Sequence, residues 1–163
     1  LVDVKVVEKE SDLVIASKQG SLLRTNLQKM RSMGRTAAGI IGMRLENDDY
    51  IIGMDIVKPN TSLFVVTDKG YGKRIPYNNF VNKGRGGKGM TYLKITDKNG
   101  AAAGIRSVMS TDEIIITSQS GMTIRLLAGD ISSQGRSTVG IKLLDINDTD
   151  TVSDFAVISE TQE

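Results

Sequence analysis

Three glycine–arginine pairs, Gly34-Arg35, Gly84-Arg85 and Gly135-Arg136, stand 50 and then 51 residues apart. Each opens a G-R-x-x-x-G element that closes at Gly39, Gly89 and Gly140, and a large apolar residue follows each time: Ile40, Met90 and Ile141. A second series keeps the same spacing. Gly20, Gly70 and Gly121 each stand four residues before an arginine, namely Arg24, Arg74 and Arg125. A period this long, kept by several independent positions, requires a stack of similar supersecondary units rather than one irregular domain.

Each unit reads as four short strands. Leu13–Ser17 is an apolar run of strand length, Lys18-Gln19-Gly20 is a turn with glycine at positive φ, and Ser21–Asn26 returns as the second strand. The matching pairs are 63–67 with 71–75, and 114–118 with 122–126. A connection of a dozen or so residues then carries the G-R-x-x-x-G element. Third strands are expected at Ile40–Leu45, Met90–Ile95 and Ile141–Ile146, and fourth strands at Tyr50–Val57, Ala101–Val108 and Thr151–Ile158. Asn47-Asp48-Asp49 lies between a third and a fourth strand and is read as a turn, not a metal site, since the EF-hand pattern is missing. Residues 1–7 align with the end of a fourth strand, as if the chain began with the last strand of a preceding unit and were cut from a longer array.

The expected fold class is therefore all-β: a propeller-like or β-pinwheel array of about three four-stranded blades. The whole chain, 1–163, is one repeat domain, with 1–12 as the last strand of a preceding blade, blades at 13–57, 63–108 and 114–158, and a tail at 159–163. Only 4% of residues are aromatic and Trp is absent, so the core between blades must be aliphatic. Cys and His are both absent, which excludes disulfides, Cys/His zinc sites and every Cys–His or Ser–His–Asp nucleophile. No apolar run reaches the length of a membrane span and no leader-like segment opens the chain, so a cytoplasmic protein with no membrane partner is expected.

The net charge of +2 says little, but its distribution is periodic. No acid occurs from Leu13 to Leu45, which holds Lys18, Arg24, Lys29, Arg31, Arg35 and Arg44. None occurs from Lys69 to Thr96, which holds Lys69, Lys73, Arg74, Lys83, Arg85, Lys88 and Lys94. The third unit keeps Arg125, Arg136 and Lys142 but adds Asp130. Equivalent positions in stacked blades face the same way, so repeated basic blocks make one basic surface suited to a polyanion. The loop Gly84–Gly89 (GRGGKG) is its sharpest feature. Gly86 and Gly87 are expected to let backbone N–H groups approach phosphates, with Arg85 and Lys88 pairing the oxygens. It is not a Walker A loop, because no Ser or Thr follows Lys88.

The stretches MGRTAAGIIGMRL, TDKGYGKRIPYNNFVNKGRGGKG and QGRSTVGIKLLDI resemble the repeats of the C-terminal β-pinwheel domain of bacterial DNA gyrase A subunits and topoisomerase IV. The resemblance covers almost the whole chain and points to the last three of six blades, half of the domain. In that family blades exchange a strand with a neighbour, and a basic rim wraps DNA. The family's signature box, Q-[RK]-R-G-G-[RK]-G, is approached by Asn82–Gly89 without its Gln. The box-like loop favours gyrase, with the DNA-steering domain of topoisomerase IV as the alternative. A propeller-like protein-interaction module, its basic blocks meeting an acidic partner, is the rival from another class.

What the resemblance implies is a non-catalytic module that binds and wraps duplex DNA without sequence preference and supports negative supercoiling by the type IIA topoisomerase. No cofactor is expected in this chain, since the holoenzyme uses ATP and Mg2+ elsewhere. The implied partners are DNA, the remainder of the gyrase A subunit, and through it the gyrase B subunit, at the bacterial nucleoid. Head-to-tail self-association through the open end blades is a further expectation. The candidate DNA contacts are Arg24, Arg35, Lys73, Arg74, Lys83, Arg85, Gly86, Gly87, Lys88, Arg125 and Arg136, with Lys29 and Arg31 as second choices. The six acids after Lys142, with no base among them, are expected to temper the affinity.

Overall fold

A computed structural model describes residues 1–8 and 10–159, so most of the expected tail at 159–163, with its acids Glu160 and Glu163, lies outside the described residues. The three hairpins pair β1 (Asp12–Ser17) with β2 (Ser21–Asn26), β4 (Ser62–Thr67) with β5 (Tyr71–Pro76), and β8 (Glu113–Ser118) with β9 (Thr123–Leu127). Each turn is closed by its glycine: the N–H of Gly20, Gly70 and Gly121 donates to the carbonyl of Ser17, Thr67 and Ser118 at 3.3, 3.1 and 3.0 Å. All three glycines have φ between 78 and 90°, where a Cβ is disfavoured. The fourth strands, β3 (Ile51–Val57), β7 (Ala102–Val108) and β11 (Val152–Ile158), return antiparallel along the outer side of β1, β4 and β8.

The third strand does not stay with its own unit. β6 (Met90–Thr91) pairs with β2, giving the order β3-β1-β2-β6. β10 (Ile141–Lys142) pairs with β5, giving β10-β5-β4-β7. Each sheet thus takes its last strand from the following repeat, and the third sheet, β11-β8-β9, has only three strands. The donated strands are two residues long rather than the six expected, because the chain then turns inward. The amides of Tyr92 and Leu93 both donate to the Gly20 carbonyl, at 2.8 and 3.4 Å, and those of Leu143 and Leu144 donate to the Gly70 carbonyl, at 2.8 and 3.1 Å. Ile40–Leu45 forms no strand, only an isolated bridge from Met43 to Gly87. Residues 1–8 form none either. Their equivalents β3 and β7 pair with the first strand of their own unit, and the sequence has no such strand ahead of Leu1.

Two aliphatic cores fill the spaces between blades. The first joins Val14, Ala16 and Leu22 to Leu63, Val65, Ile75, Tyr77, Phe80, Tyr92 and Leu93. The second joins Phe64, Val66 and Val108 to Ile114, Ile116, Ala128, Ile131 and Leu144. The middle blade is buried on both faces, which is why β4 reads as an unbroken LFVV run instead of an alternating one. Each fully buried aliphatic side chain here contributes roughly 1.5–3 kcal/mol.

Two predictions arise from this packing. A Cβ on Gly70 would collide with the Leu144 carbonyl, whereas one on Gly121 meets nothing. Gly70→Ala should therefore cost about 3 kcal/mol or more, from clash added to left-handed strain, and Gly121→Ala only about 1. Denaturant midpoints of the two variants check this. The second concerns Tyr92, whose hydroxyl donates to the Ser17 carbonyl at 2.9 Å inside the first core. Burial, helped by Asp49, pushes its phenol well above the usual value. The folded state keeps this proton where the unfolded chain releases it. The contribution is complete below about pH 10 and is lost as pH rises beyond that. Stability should fall above pH 10, and less steeply in Tyr92→Phe.

Candidate nucleic-acid interface

The segments linking each second strand to the donated strand carry most of the exposed bases. Each starts with one 3-10 turn: η1 (Leu27–Lys29), η2 (Tyr77–Asn79) and η3 (Ala128–Asp130). In the second and third units this turn plugs the core with Tyr77 and Phe80, or with Ala128 and Ile131. The chain then crosses the edge of the preceding blade, where the Lys83 amide donates to the Arg24 carbonyl at 2.8 Å and the Arg74 amide donates to the Ser132 carbonyl at 3.0 Å.

These crossings give two of the expected DNA-binding arginines a different task. Arg24 donates from Nε to Asp12 at 2.8 Å and from Nη1 to the Tyr77 carbonyl at 2.8 Å, with Nη2 2.7 Å from the same carboxylate. Burial alone would raise the Asp12 carboxyl, but hydrogen bonds from Asn26, Arg24 and Asn82 outweigh it and hold the pKa below its ordinary value. Arg74 donates to the carbonyls of Ile131 and Gly129 at 2.9 and 3.1 Å. Both guanidiniums clamp the turn of the next unit to the blade before it and are not free to meet a phosphate. Arg125, at the same position in the third unit, has no later turn in the chain to hold; it is exposed and paired with Glu113.

Lys73 is also not on the surface. Its side chain is completely buried, and Nζ donates to the carbonyls of Gly135, Arg136 and Thr138 at 2.8, 3.0 and 3.0 Å and to Thr138 Oγ1 at 2.9 Å. Burial lowers its pKa to about 8. Nor is the glycine loop an open nest of N–H groups. The Gly86 amide is spent on the Gly42 carbonyl at 2.6 Å, and the Gly87 carbonyl accepts from Arg44 N at 2.9 Å.

Arg35, Lys83, Arg85 and Lys88 are exposed, and Lys88 sits 2.9 Å from Glu46. Arg136 is half-buried, with Nη1 3.3 Å from the Thr91 carbonyl. Arg44 and Lys94 join this group although neither was among the candidates; both are exposed. They occupy one repeat position, each N–H tied to the next connection, Arg44 to Gly87 and Lys94 to Thr138 at 3.1 Å. Backbone bonds therefore join residues 42–44 to 86–87 and residue 94 to 138. The exposed bases Arg44, Lys83, Arg85 and Lys94 follow one connected strip that reaches the half-buried Arg136 at its far end. The third unit interrupts it, since Asp145 takes the position of Arg44 and Lys94 and lies 2.8 Å from Lys142. The acids of the turns have structural roles: Asp49 Oδ1 accepts from the amides of Gln19 and Tyr50 at 3.0 and 2.9 Å. Among the described residues no group of three or more His, Cys, Asp or Glu could hold a metal ion.

A family model described as the DNA gyrase C-terminal domain, β-propeller, matches residues 11–58, 61–109 and 112–159, one match per blade. The DNA gyrase A subunit of Staphylococcus aureus (strain NCTC 8325 / PS 47) is 35% identical over 165 residues, covering 100% of this chain and 19% of the relative. The chain thus spans about a fifth of the length of the curated relatives it matches. A solved structure of a DNA gyrase A C-terminal domain superposes with a TM-score of 0.86 at 30% identity, covering 94% of this chain and 52% of that one. The C-terminal domain of a DNA topoisomerase IV shares the fold, with a TM-score of 0.89 at 23% identity over 96% of this chain and 49% of that one.

Proposed function

The chain belongs to the DNA gyrase C-terminal β-propeller family, and from that premise we propose that it binds duplex DNA without sequence preference and bends it along the basic strip. In this reading it is a non-catalytic part of a gyrase A subunit, and the bend it imposes supports negative supercoiling by the whole enzyme. ATP and Mg2+ act elsewhere in that enzyme. Its partners are the rest of the gyrase A subunit, and through it the gyrase B subunit, at the nucleoid in the bacterial cytoplasm.

The observation that carries the reading is the strip itself. Exposed Arg and Lys side chains on backbone-linked connections, with no acid between residues 27 and 45 or between 77 and 96, suit phosphates and offer no base-reading helix or ribbon. Bending a 20–30 bp site by 40–90° costs about 1–6 kcal/mol, which counterion release at several phosphates can offset. The test is a salt series on a random-sequence duplex long enough to cross all three blades. Five contacts, from Arg35, Arg44, Lys83, Arg85 and Lys94, should give a log–log slope of about −4 to −5. Absence of binding even at low salt would overturn the proposal and leave a protein-interaction module as the better account.

A further inference from the structure

The two ends of the array carry the unmatched halves of a joint that the chain makes twice within itself. At each internal joint a donated strand adds to a second strand: Met90 pairs with Leu22 and Thr91 with Ser21, then Ile141 pairs with Gly72 and Lys142 with Tyr71. The chain just beyond covers the hairpin glycine, so that the Leu93 carbonyl lies against Gly20 and the Leu144 carbonyl against Gly70. An arginine on the second strand then grips carbonyls of the incoming turn: Arg24 those of Tyr77 and Phe80, and Arg74 those of Gly129 and Ile131.

The third blade has every acceptor part and no donor. β9 has a free edge, nothing lies within 4 Å of where a Cβ on Gly121 would be, and Arg125 is exposed. The first unit has every donor part and no acceptor. Ile40 and Ile41, equivalent to Met90-Thr91 and Ile141-Lys142, are 37% and 61% exposed, and Gly39 likewise has no neighbour within 4 Å. No buried residue belongs to η1, unlike η2 and η3.

We propose that two copies of this chain join head to tail, the Gly39–Leu45 segment of each completing the three-stranded sheet of the other. Repeat register fixes the pairing: Ile40 opposite Thr123, Ile41 opposite Met122, Met43 over Gly121, and Arg125 on the carbonyls of Leu27 and Met30. Such a contact is heterologous and must either close or grow. Closure at two follows from the superpositions. Three repeats cover 52% and 49% of the two solved domains, so two copies supply the number of repeats those domains contain. This inference rests on the strand geometry and is independent of the DNA-binding proposal.

Sedimentation equilibrium on the 163-residue chain, from low micromolar to near-millimolar concentration, tests it. The expected result is a dimer. Arg125→Glu and Gly121→Ala should each weaken association at least tenfold while circular dichroism stays that of the parent. The chain contains no cysteine, so Ile41→Cys and Met122→Cys introduced in separate copies give an unambiguous trap. On oxidation the mixture should yield a disulfide-linked pair, and neither variant alone should. A monomer throughout the range would overturn the proposal. So would a dimer unmoved by both variants, or growth into open oligomers.

Discussion

A chain carrying Arg35→Glu, Arg44→Glu, Arg85→Glu and Lys94→Glu should keep its fold and lose duplex affinity by about a thousandfold or more near 0.1 M salt. The four side chains are exposed and make no hydrogen bond or ion pair among the described residues, so stability should shift by no more than about 0.5 kcal/mol per site. Each phosphate contact contributes roughly 0.9 to the log–log slope, about eightfold in affinity at that salt, and four lost contacts compound. The slope should become shallower by about 3 to 4 as the affinity falls. Lys58→Glu is the control. Lys58 is an exposed base beside Glu8 and Pro59, off the strip, and its reversal should leave the slope unchanged. If Lys58→Glu weakened binding as much per charge as the strip variants did, net charge rather than a path would govern the affinity.

Lys73→Met should lower stability by about 3 kcal/mol while leaving the DNA salt slope of the remaining folded protein nearly intact. Methionine fills much of the same volume, so the loss comes from acceptors left without a donor. The Arg136 carbonyl has no other hydrogen-bond partner among the described residues, while Gly135 and Thr138 retain other partners. Amide exchange around Gly135–Val139 should rise first. The pH dependence gives a second signature. Burial brings the folded ammonium to about 8 against 10.5 when free, so between those values the unfolded chain binds more protons. Stability from this group therefore rises with pH from about 8 upward and is flat below. The variant should lose that rise, measured as denaturant midpoint across the window, and keep only the decline above pH 10 expected from the buried tyrosines.

The register of glycines and arginines made three hairpins and their turns legible, because a left-handed glycine leaves the same mark in sequence and in structure. The same register misassigned Arg24 and Arg74. Periodicity states that equivalent side chains face one way, but not whether that way leads to solvent or to the next blade. Arg125 shows the difference, since the same residue type becomes exposed as soon as no later turn lies beside it. Lys73 carried a readable warning: its column also holds Leu23, which is fully buried, and Ile124, packed on the second core. Arg44 and Lys94 were hidden because they fall inside segments read as plain strand. Strand donation is invisible to any period, because pairing within a unit and pairing with the next unit give the same spacing.

Donation also sets an order of events during synthesis. β2 can form its hairpin as soon as it leaves the ribosome, but Leu22 has no edge partner until Met90 has been made, and Gly72 none until Ile141. Each blade therefore waits, one edge open, for most of a further repeat to emerge. A nascent chain of this kind always exposes one unpaired strand, and it moves toward the C-terminus as translation proceeds. For the same reason recombination cannot shuffle these units at the glycine–arginine boundaries without separating a donor from its sheet. The exchangeable piece is offset from the visible repeat, so array length can change without loss only where each cut keeps every donated strand with the hairpin it completes.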